Sequence, residues 1–215
     1  MVRTQTRGRR GCAQRGVGLV FKLGLTGSIG MGKSTTAQMF VEEGCGLWDA
    51  DAAVHRLYAK NGAAVAPISR LYPDAVKAGE VSRSVLKKII KTQPGSLQKI
   101  ESIVHPLVAS DREKFLSQTA ANIVVLDIPL LFETGGNTAM DAVACVTVDA
   151  DEQQKRVLER GKMTRETFDQ IRAKQMPNAE KCARSDFVIV TDTVEHARLQ
   201  VQSIVKQIKE SMRCA

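Results

Sequence analysis

Gly27-Ser28-Ile29-Gly30-Met31-Gly32-Lys33-Ser34 fits the pattern G-x-x-x-x-G-K-[S/T], and no other stretch of the chain restricts its fold as much. The apolar residues between Gly18 and Leu25 predict a short buried strand just before it. After it, Ala37, Phe40 and Val41 give the apolar face of a helix predicted from Lys33 to about Glu43, with Gly44 placed to end it. A glycine-rich loop between a strand and a helix can turn consecutive backbone amides inward as a nest for an anion, and the helix N-terminus adds positive potential. In that setting Gly27, Ile29, Gly30, Met31, Gly32, Lys33, Ser34 and Thr35 are candidate nucleotide-binding residues. Lys33 brings a positive charge to the β and γ phosphates and is a candidate catalytic residue, and the Ser34 hydroxyl is a candidate Mg²⁺ ligand.

The rest of the chain alternates in the same way. Cys45 to Trp48 predicts a second strand, and strands return at 122–128, 142–148 and 187–191 as continuous apolar runs. Such runs suit a parallel sheet covered on both faces. Val194, Ala197, Val201, Ile204, Val205 and Ile208 form the stripe of a final helix. Between 52 and 121 only helical stretches are expected, interrupted at Asn61-Gly62, Pro73-Asp74, Pro94-Gly95 and His105-Pro106. The fold class is therefore α/β, with a helical insertion.

The formal net charge of +8 is concentrated at the start of the chain. Arg3, Arg7, Arg9, Arg10, Arg15 and Lys22 fall in the first 22 residues without an acid, which leaves the remainder at about +2. A near-neutral body gives no reason to expect a nucleic-acid partner, and an aromatic content of 4% is low for base-stacking platforms. Residues 1–18 read as a disordered basic extension, with a transit-like segment or a nucleic-acid arm as the other readings. No apolar run approaches the roughly 18 residues that would cross a bilayer, so no membrane partner is expected. Cys12, Cys45, Cys145, Cys182 and Cys214 contain no C-x-x-C pair, and reduced thiols in the cytoplasm are the expectation.

Acceptor chemistry has to come from other residues. Asp49 and Asp51 follow the second strand, at the strand end where open α/β sheets bind ligands, and alternation along an extended chain would put both on one side. A carboxylate there can take a proton from an acceptor hydroxyl or position a metal ion; either residue could instead cap the next helix. Asp127 ends the apolar run 123–126, as an acid holding metal-bound water would, or as a solvated strand end. Arg156, Arg160, Lys162 and Arg165 fall on a helical stretch and the turn after it, where a mobile lid could carry arginine onto phosphates.

Gly24 to Thr35, Trp48-Asp49-Ala50-Asp51, Val104-His105-Pro106-Leu107, Ile128-Pro-Leu-Leu-Phe-Glu133, and Gln175-Met-Pro-Asn-Ala-Glu-Lys181 leading to Ser185–Ile189 resemble, in this order and spacing, the motifs of the dephospho-coenzyme A kinases. The resemblance runs from Leu19 to Ile208. It implies a P-loop three-layer fold with a parallel sheet, a helical substrate-binding insertion and a small lid. The corresponding division is a nucleotide-binding core of 19–51, 122–154 and 182–215, a coenzyme A domain of 52–121, and a lid of 155–181. It further implies ATP and Mg²⁺ as cofactors, dephospho-coenzyme A as acceptor and transfer to its ribose 3′-hydroxyl, with Asp51 as catalytic base. With the residue reading above, Asp49, Asp51 and His105 are the substrate-binding candidates, Arg156 a nucleotide-binding one, Arg160 a catalytic one, and Ser34 and Asp127 metal-holding ones. Ser28, Met31 and Trp48 depart from the residues frequent in that family. A nucleoside monophosphate kinase type of enzyme, and a nucleotide-dependent switch or nucleic-acid-associated ATPase, are the other readings of the phosphate loop.

Overall fold

The computed structural model describes residues 20–159, 161 and 163–214. Arg160, Lys162 and the 1–18 extension lie outside the described residues. Two compact units are present, one of residues up to Leu47 together with those from Ala120 on, the other Trp48–Thr119.

The first unit is built on a parallel sheet. Its strands are β1 (Phe21–Thr26), β2 (Gly46–Asp49), β5 (Ile123–Asp127), β6 (Ala142–Thr147) and β7 (Phe187–Val190), in the spatial order β2-β5-β1-β6-β7. The central strand β1 pairs with β5, Leu25 opposite Asp127, and with β6, Thr26 opposite Cys145. Chain order reverses on the two sides of β1, so the loop leaving its C-terminal end opens at the switch point of the sheet, where α/β folds bind ligands.

Alternate residues of these strands serve opposite faces. Phe21, Leu23, Leu25, Ile123, Val125, Ala144 and Val146 join one core with Phe40 of α1 (Lys33–Glu42) and with Val201, Ile204, Val205 and Ile208 of α9 (Val194–Arg213). On the other face Val143 packs with Leu131 and Phe132, and α8 (Asn178–Arg184) lies against β6. Burial on both faces is why β5 and β6 read as nearly unbroken apolar runs. Helices α6 (Ala150–Glu159) and α7 (Arg165–Lys174) lie between β6 and α8 in the chain.

The second unit carries α2 (Ala50–Tyr58), α3 (Val65–Leu71), α4 (Arg83–Thr92) and the long α5 (Ser96–Gln118) around Leu57, Ala64, Ile68, Leu86, Ile100 and Val104. It also holds a hairpin of two-residue strands, β3 (Val76–Lys77) and β4 (Glu80–Val81), which the expectation of an all-helical segment missed. Ala78 and Gly79 both take positive φ, 50° and 81°, as a tight two-residue hairpin turn demands. Strands this short leave no periodicity to detect.

A second departure is at Pro106, expected to bound a helix and instead inside α5. Ile100, Ile103, Val104, Leu107 and Val108 continue one apolar stripe across it, all packed in the same core. That burial outweighs the lost backbone hydrogen bond, and the proline ring sits at an exposed position. Pro106→Ala restores the missing donor and is expected to stabilise the protein by on the order of 1–3 kcal/mol in urea denaturation. An unchanged or lower midpoint would contradict this reading of the helix.

Candidate active site

The loop after β1 is held in shape by its neighbours at close range. A Cβ on Gly27 would lie 2.3 Å from Val146 Cγ2, and one on Gly30, at φ 80°, would lie 2.4 Å from Val157 Cγ2 on α6. Side chains are excluded at both positions. Gly32, also left-handed, is the N-cap of α1 and offers no capping side chain. By contrast Asp49 caps α2 and Thr193 caps α9, each accepting from the amide three residues on. The first turn of α1 is thus left open to an external anion.

The loop amides divide into two sets. The Ser28 amide donates to Asn178 Oδ1 at 3.0 Å, the Ile29 amide to Gln175 Oε1 at 3.1 Å, and the Met31 amide to the Ser28 carbonyl at 3.2 Å. Among the described residues no protein acceptor engages the amides of Gly30, Gly32, Lys33 or Ser34. The anion nest expected from the sequence is therefore narrower than the whole motif. Ile29 and Met31, expected to cradle phosphate with their backbone, spend their amides inside the protein.

Met31 fills a structural role. Its side chain is buried in the core, its sulfur accepts from the Val148 amide at 3.2 Å, and its carbonyl accepts from Thr191 Oγ1 at 2.9 Å. Lys33 forms an ion pair with Asp127, whose carboxylate is buried at the end of β5. Two charges withdrawn from water need each other. Ser34 and Thr35 are exposed at the open end of α1.

A cleft beside the loop is lined by Gly32, Thr35, Met39, Arg156, Thr193 and Val194. Arg156 is fixed there: its Nε pairs with Glu152 at 2.8 Å, and its guanidinium reaches Thr191 Oγ1 at 3.4 Å and the Asp192 carbonyl at 3.2 Å. Arg165 begins α7 and is exposed; Arg160 and Lys162 lie outside the described residues.

In the second unit Asp49 is the N-cap of α2, accepting from the Ala52 amide at 2.9 Å. Extended alternation stops there, because Ala50 already begins the helix, so the expectation that Asp49 and Asp51 share a side for that reason does not hold. Asp51 lies in the first turn of α2 with an exposed side chain. The turn is anchored by Trp48, whose indole N–H donates to Asp111 Oδ1 at 2.8 Å, and by Arg56, which grips both oxygens of Asp111. The Arg56 guanidinium holds the Asp111 carboxyl below its usual range. His105 is exposed on α5.

The sequence motifs around 128–133 and 175–181, quoted separately above, meet in space. Lys181 is fully buried, donating to the Pro129 carbonyl at 2.9 Å and pairing with Glu133 Oε1 at 2.9 Å. Glu133 also accepts from the Met176 amide at 2.9 Å. Burial alone would raise the Glu133 pKa, but the Lys181 ammonium and the Met176 amide outweigh it and hold the carboxyl below the ordinary value. Gln153, Gln175, Asn178 and Thr191, which brace the phosphate loop, were not among the sequence candidates; only the positions of Gln175 and Asn178 inside a quoted motif pointed to them.

Among the described residues no helix is long and apolar enough to cross a membrane, and no group of three His, Cys, Asp or Glu side chains is arranged to hold a metal ion alone. Lys181→Met, which leaves the Pro129 carbonyl and the Glu133 carboxylate without the ammonium they share, is expected to cost about 1–3 kcal/mol in urea denaturation, and Lys181→Met with Glu133→Leu less. Because the folded pKa of Glu133 is depressed, its contribution is present above the ordinary value of 4.5 and lost as the pH falls below it. A cost below 1 kcal/mol for the single variant would contradict the importance given to this pair.

Comparison with known proteins fits this geometry. A family model described as dephospho-CoA kinase matches residues 21–196. The chain is 68% identical over 191 residues to the dephospho-CoA kinase of Ruegeria pomeroyi, covering 89% of this chain and 97% of that protein. It is 51% identical over 191 residues to that of Cereibacter sphaeroides, with the same coverage. Among solved structures, a protein from Thermus thermophilus superposes with a TM-score of 0.80 at 30% identity, covering 87% of this chain and 97% of that one. The dephospho-CoA kinase from Campylobacter jejuni, at 20% identity and a TM-score of 0.66 over 88% of this chain and 98% of that one, shares the fold.

Proposed function

The chain belongs to the dephospho-coenzyme A kinase family, and on that premise we propose how its residues carry out the last step of coenzyme A biosynthesis, transfer of the ATP γ-phosphoryl to the ribose 3′-hydroxyl of dephospho-coenzyme A. The observation that carries the reading is the open set of amides at Gly30, Gly32, Lys33 and Ser34, beside a lysine whose partner in the protein is a buried carboxylate. Polyphosphate supplies the acceptors those amides lack, and offers Lys33 a second anion. The cleft walled by Arg156 takes the nucleobase.

The donor set suits Mg²⁺, with the Ser34 hydroxyl and the Asp127 carboxylate as the groups that would hold it and phosphate oxygens and water as the remaining ligands. When bound, the ion neutralises charge on the phosphates. The protein's own part is positional and electrostatic. Lys33 and the open amides stabilise negative charge on the phosphoryl oxygens as the bond to ADP lengthens, and Arg160 adds to that charge stabilisation.

Asp51 accepts the proton of the attacking 3′-hydroxyl as the new O–P bond forms and ADP leaves. Its exposed carboxylate in the first turn of α2 suits that role, whereas the Asp49 side chain is engaged in capping. In this reading the Trp48–Thr119 unit is the coenzyme A domain, residues 155–181 are the lid, and His105 belongs to the acceptor side. The setting is cytoplasmic, supported by Cys45, Cys145, Cys182 and Cys214 being free.

Incubation with Mg-ATP and a panel of alcohol acceptors, followed by mass measurement, is expected to show dephospho-coenzyme A alone gaining one phosphoryl group. Turnover of another acceptor in its place would overturn the proposal. Asp51→Asn is expected to lower kcat by roughly 10²–10⁴-fold with little change in ATP affinity, and Asp49→Asn to do less. Retention of most of kcat by Asp51→Asn would mean that the base is another residue.

A further inference from the structure

The phosphate loop is held at one residue from two directions. Gln153 Nε2 donates to the Ile29 carbonyl at 2.6 Å, and Gln175 Oε1 accepts from the Ile29 amide at 3.1 Å. The two glutamines come from different elements: Gln153 is buried on α6, and Gln175 is the C-cap of α7. In sequence they stand on either side of the segment 155–174.

Peptide geometry gives these bonds a consequence. In a planar trans peptide the C=O and N–H point in opposite directions. Holding the Ile29 carbonyl towards Gln153 therefore turns the Gly30 N–H, which belongs to the same peptide, away from α6. The preceding peptide obeys the same rule: its Ile29 N–H goes to Gln175 while its Ser28 carbonyl turns the other way and accepts from the Met31 amide at 3.2 Å. Glycine resists a peptide flip poorly, because it adopts positive and negative φ with similar ease, and Gly30 sits at φ 80°. A flipped 29–30 peptide would present a carbonyl oxygen where an anion needs an N–H.

We propose that Gln153 and Gln175 are positioning residues for phosphoryl transfer, which lock the two peptides flanking Ile29 so that the Gly30 amide, and the open amides after it, face the polyphosphate of ATP. The inference rests on the reading of this loop as the ATP phosphate site. The glutamines touch the loop backbone and act through it.

The test compares the full chain with Gln153→Met and Gln175→Met, which keep side-chain length and remove the donor and the acceptor respectively. Melting temperature, Mg-ADP dissociation constant, and KM for ATP and kcat with dephospho-coenzyme A are measured for each. Both variants are expected to stay folded, to bind Mg-ADP about 10-fold more weakly and to raise KM for ATP by a similar factor, with the larger effect at Gln153, whose peptide carries the Gly30 amide. KM for dephospho-coenzyme A should stay near the wild-type value. Unchanged Mg-ADP affinity and KM for ATP would overturn the proposal, as would a lower melting temperature with activity lost only in proportion to unfolded protein. Should Gln153→Met fail to fold, Gln175→Met, at a partly exposed site, decides the matter alone. Absence of Mg-ADP binding by the wild-type chain would instead refute the underlying assignment of the loop.

Discussion

A loop that offers its backbone amides to an outside anion cannot use them to hold itself together, so its shape must be imposed by its surroundings. That constraint organises the nucleotide-binding unit. Val146 on β6 and Val157 on α6 approach Gly27 and Gly30 too closely for any side chain there. Asn178, Gln175, Gln153 and Thr191 then tie down Ser28, Ile29 and Met31. Asn178 also donates to the Val146 carbonyl at 3.2 Å and to Thr147 Oγ1 at 3.1 Å, so the bracing side chain is itself fixed to the sheet. The amides left over are those at the glycine-capped start of α1, where the helix end favours negative charge.

The same economy governs the charged groups. Asp127 is buried and is paired with Lys33, whose ammonium it keeps beside the loop. Lys181, fully buried, bonds to the Pro129 carbonyl and pairs with Glu133, while Glu133 accepts from the Met176 amide. This connects the segment after β5 to α8, which begins with Asn178, and to the residues just before it, which include Gln175. Stability of that pair and alignment of the phosphate loop are therefore linked through a few residues of chain. A defect in the first should be felt at the second.

Much of this was legible in the sequence because it is local. The loop pattern lies between a strand and a helix that periodicity and Gly44 delimit, the apolar runs at 123–126 and 142–146 mark strands buried on both faces, and the run at 187–190 marks an edge strand whose Val188 is exposed. The order and spacing of the separate motifs pointed to the family. What could not be read depends on long-range contact. Gln153 looks like an ordinary polar residue on a charged helix, and Gln175, although inside a quoted motif, shows no partner in the sequence; only the fold brings both to Ile29. Lys181 looks like surface charge and is fully buried, because Glu133 and the Pro129 carbonyl are waiting for it. Pro106 misled for the opposite reason: a strong local signal was overridden by an apolar stripe packed on both sides of it. Trp48 is buried, and the Asp111 carboxylate that its indole N–H reaches was equally beyond sequence reading.

The central claim is that the amides of Ser28, Ile29 and Met31 are committed by the protein before any nucleotide arrives, while those of Gly30, Gly32, Lys33 and Ser34 await the ligand. Residue-resolved amide hydrogen exchange across 27–34, with and without Mg-ADP, tests it most directly. Ser28, Ile29 and Met31 should be protected already in the nucleotide-free protein, whereas Gly30, Gly32, Lys33 and Ser34 should exchange fast and slow only when Mg-ADP is added. Fast exchange at all of these amides without nucleotide, with protection appearing together on binding, would show that the ligand shapes the loop and would contradict the claim.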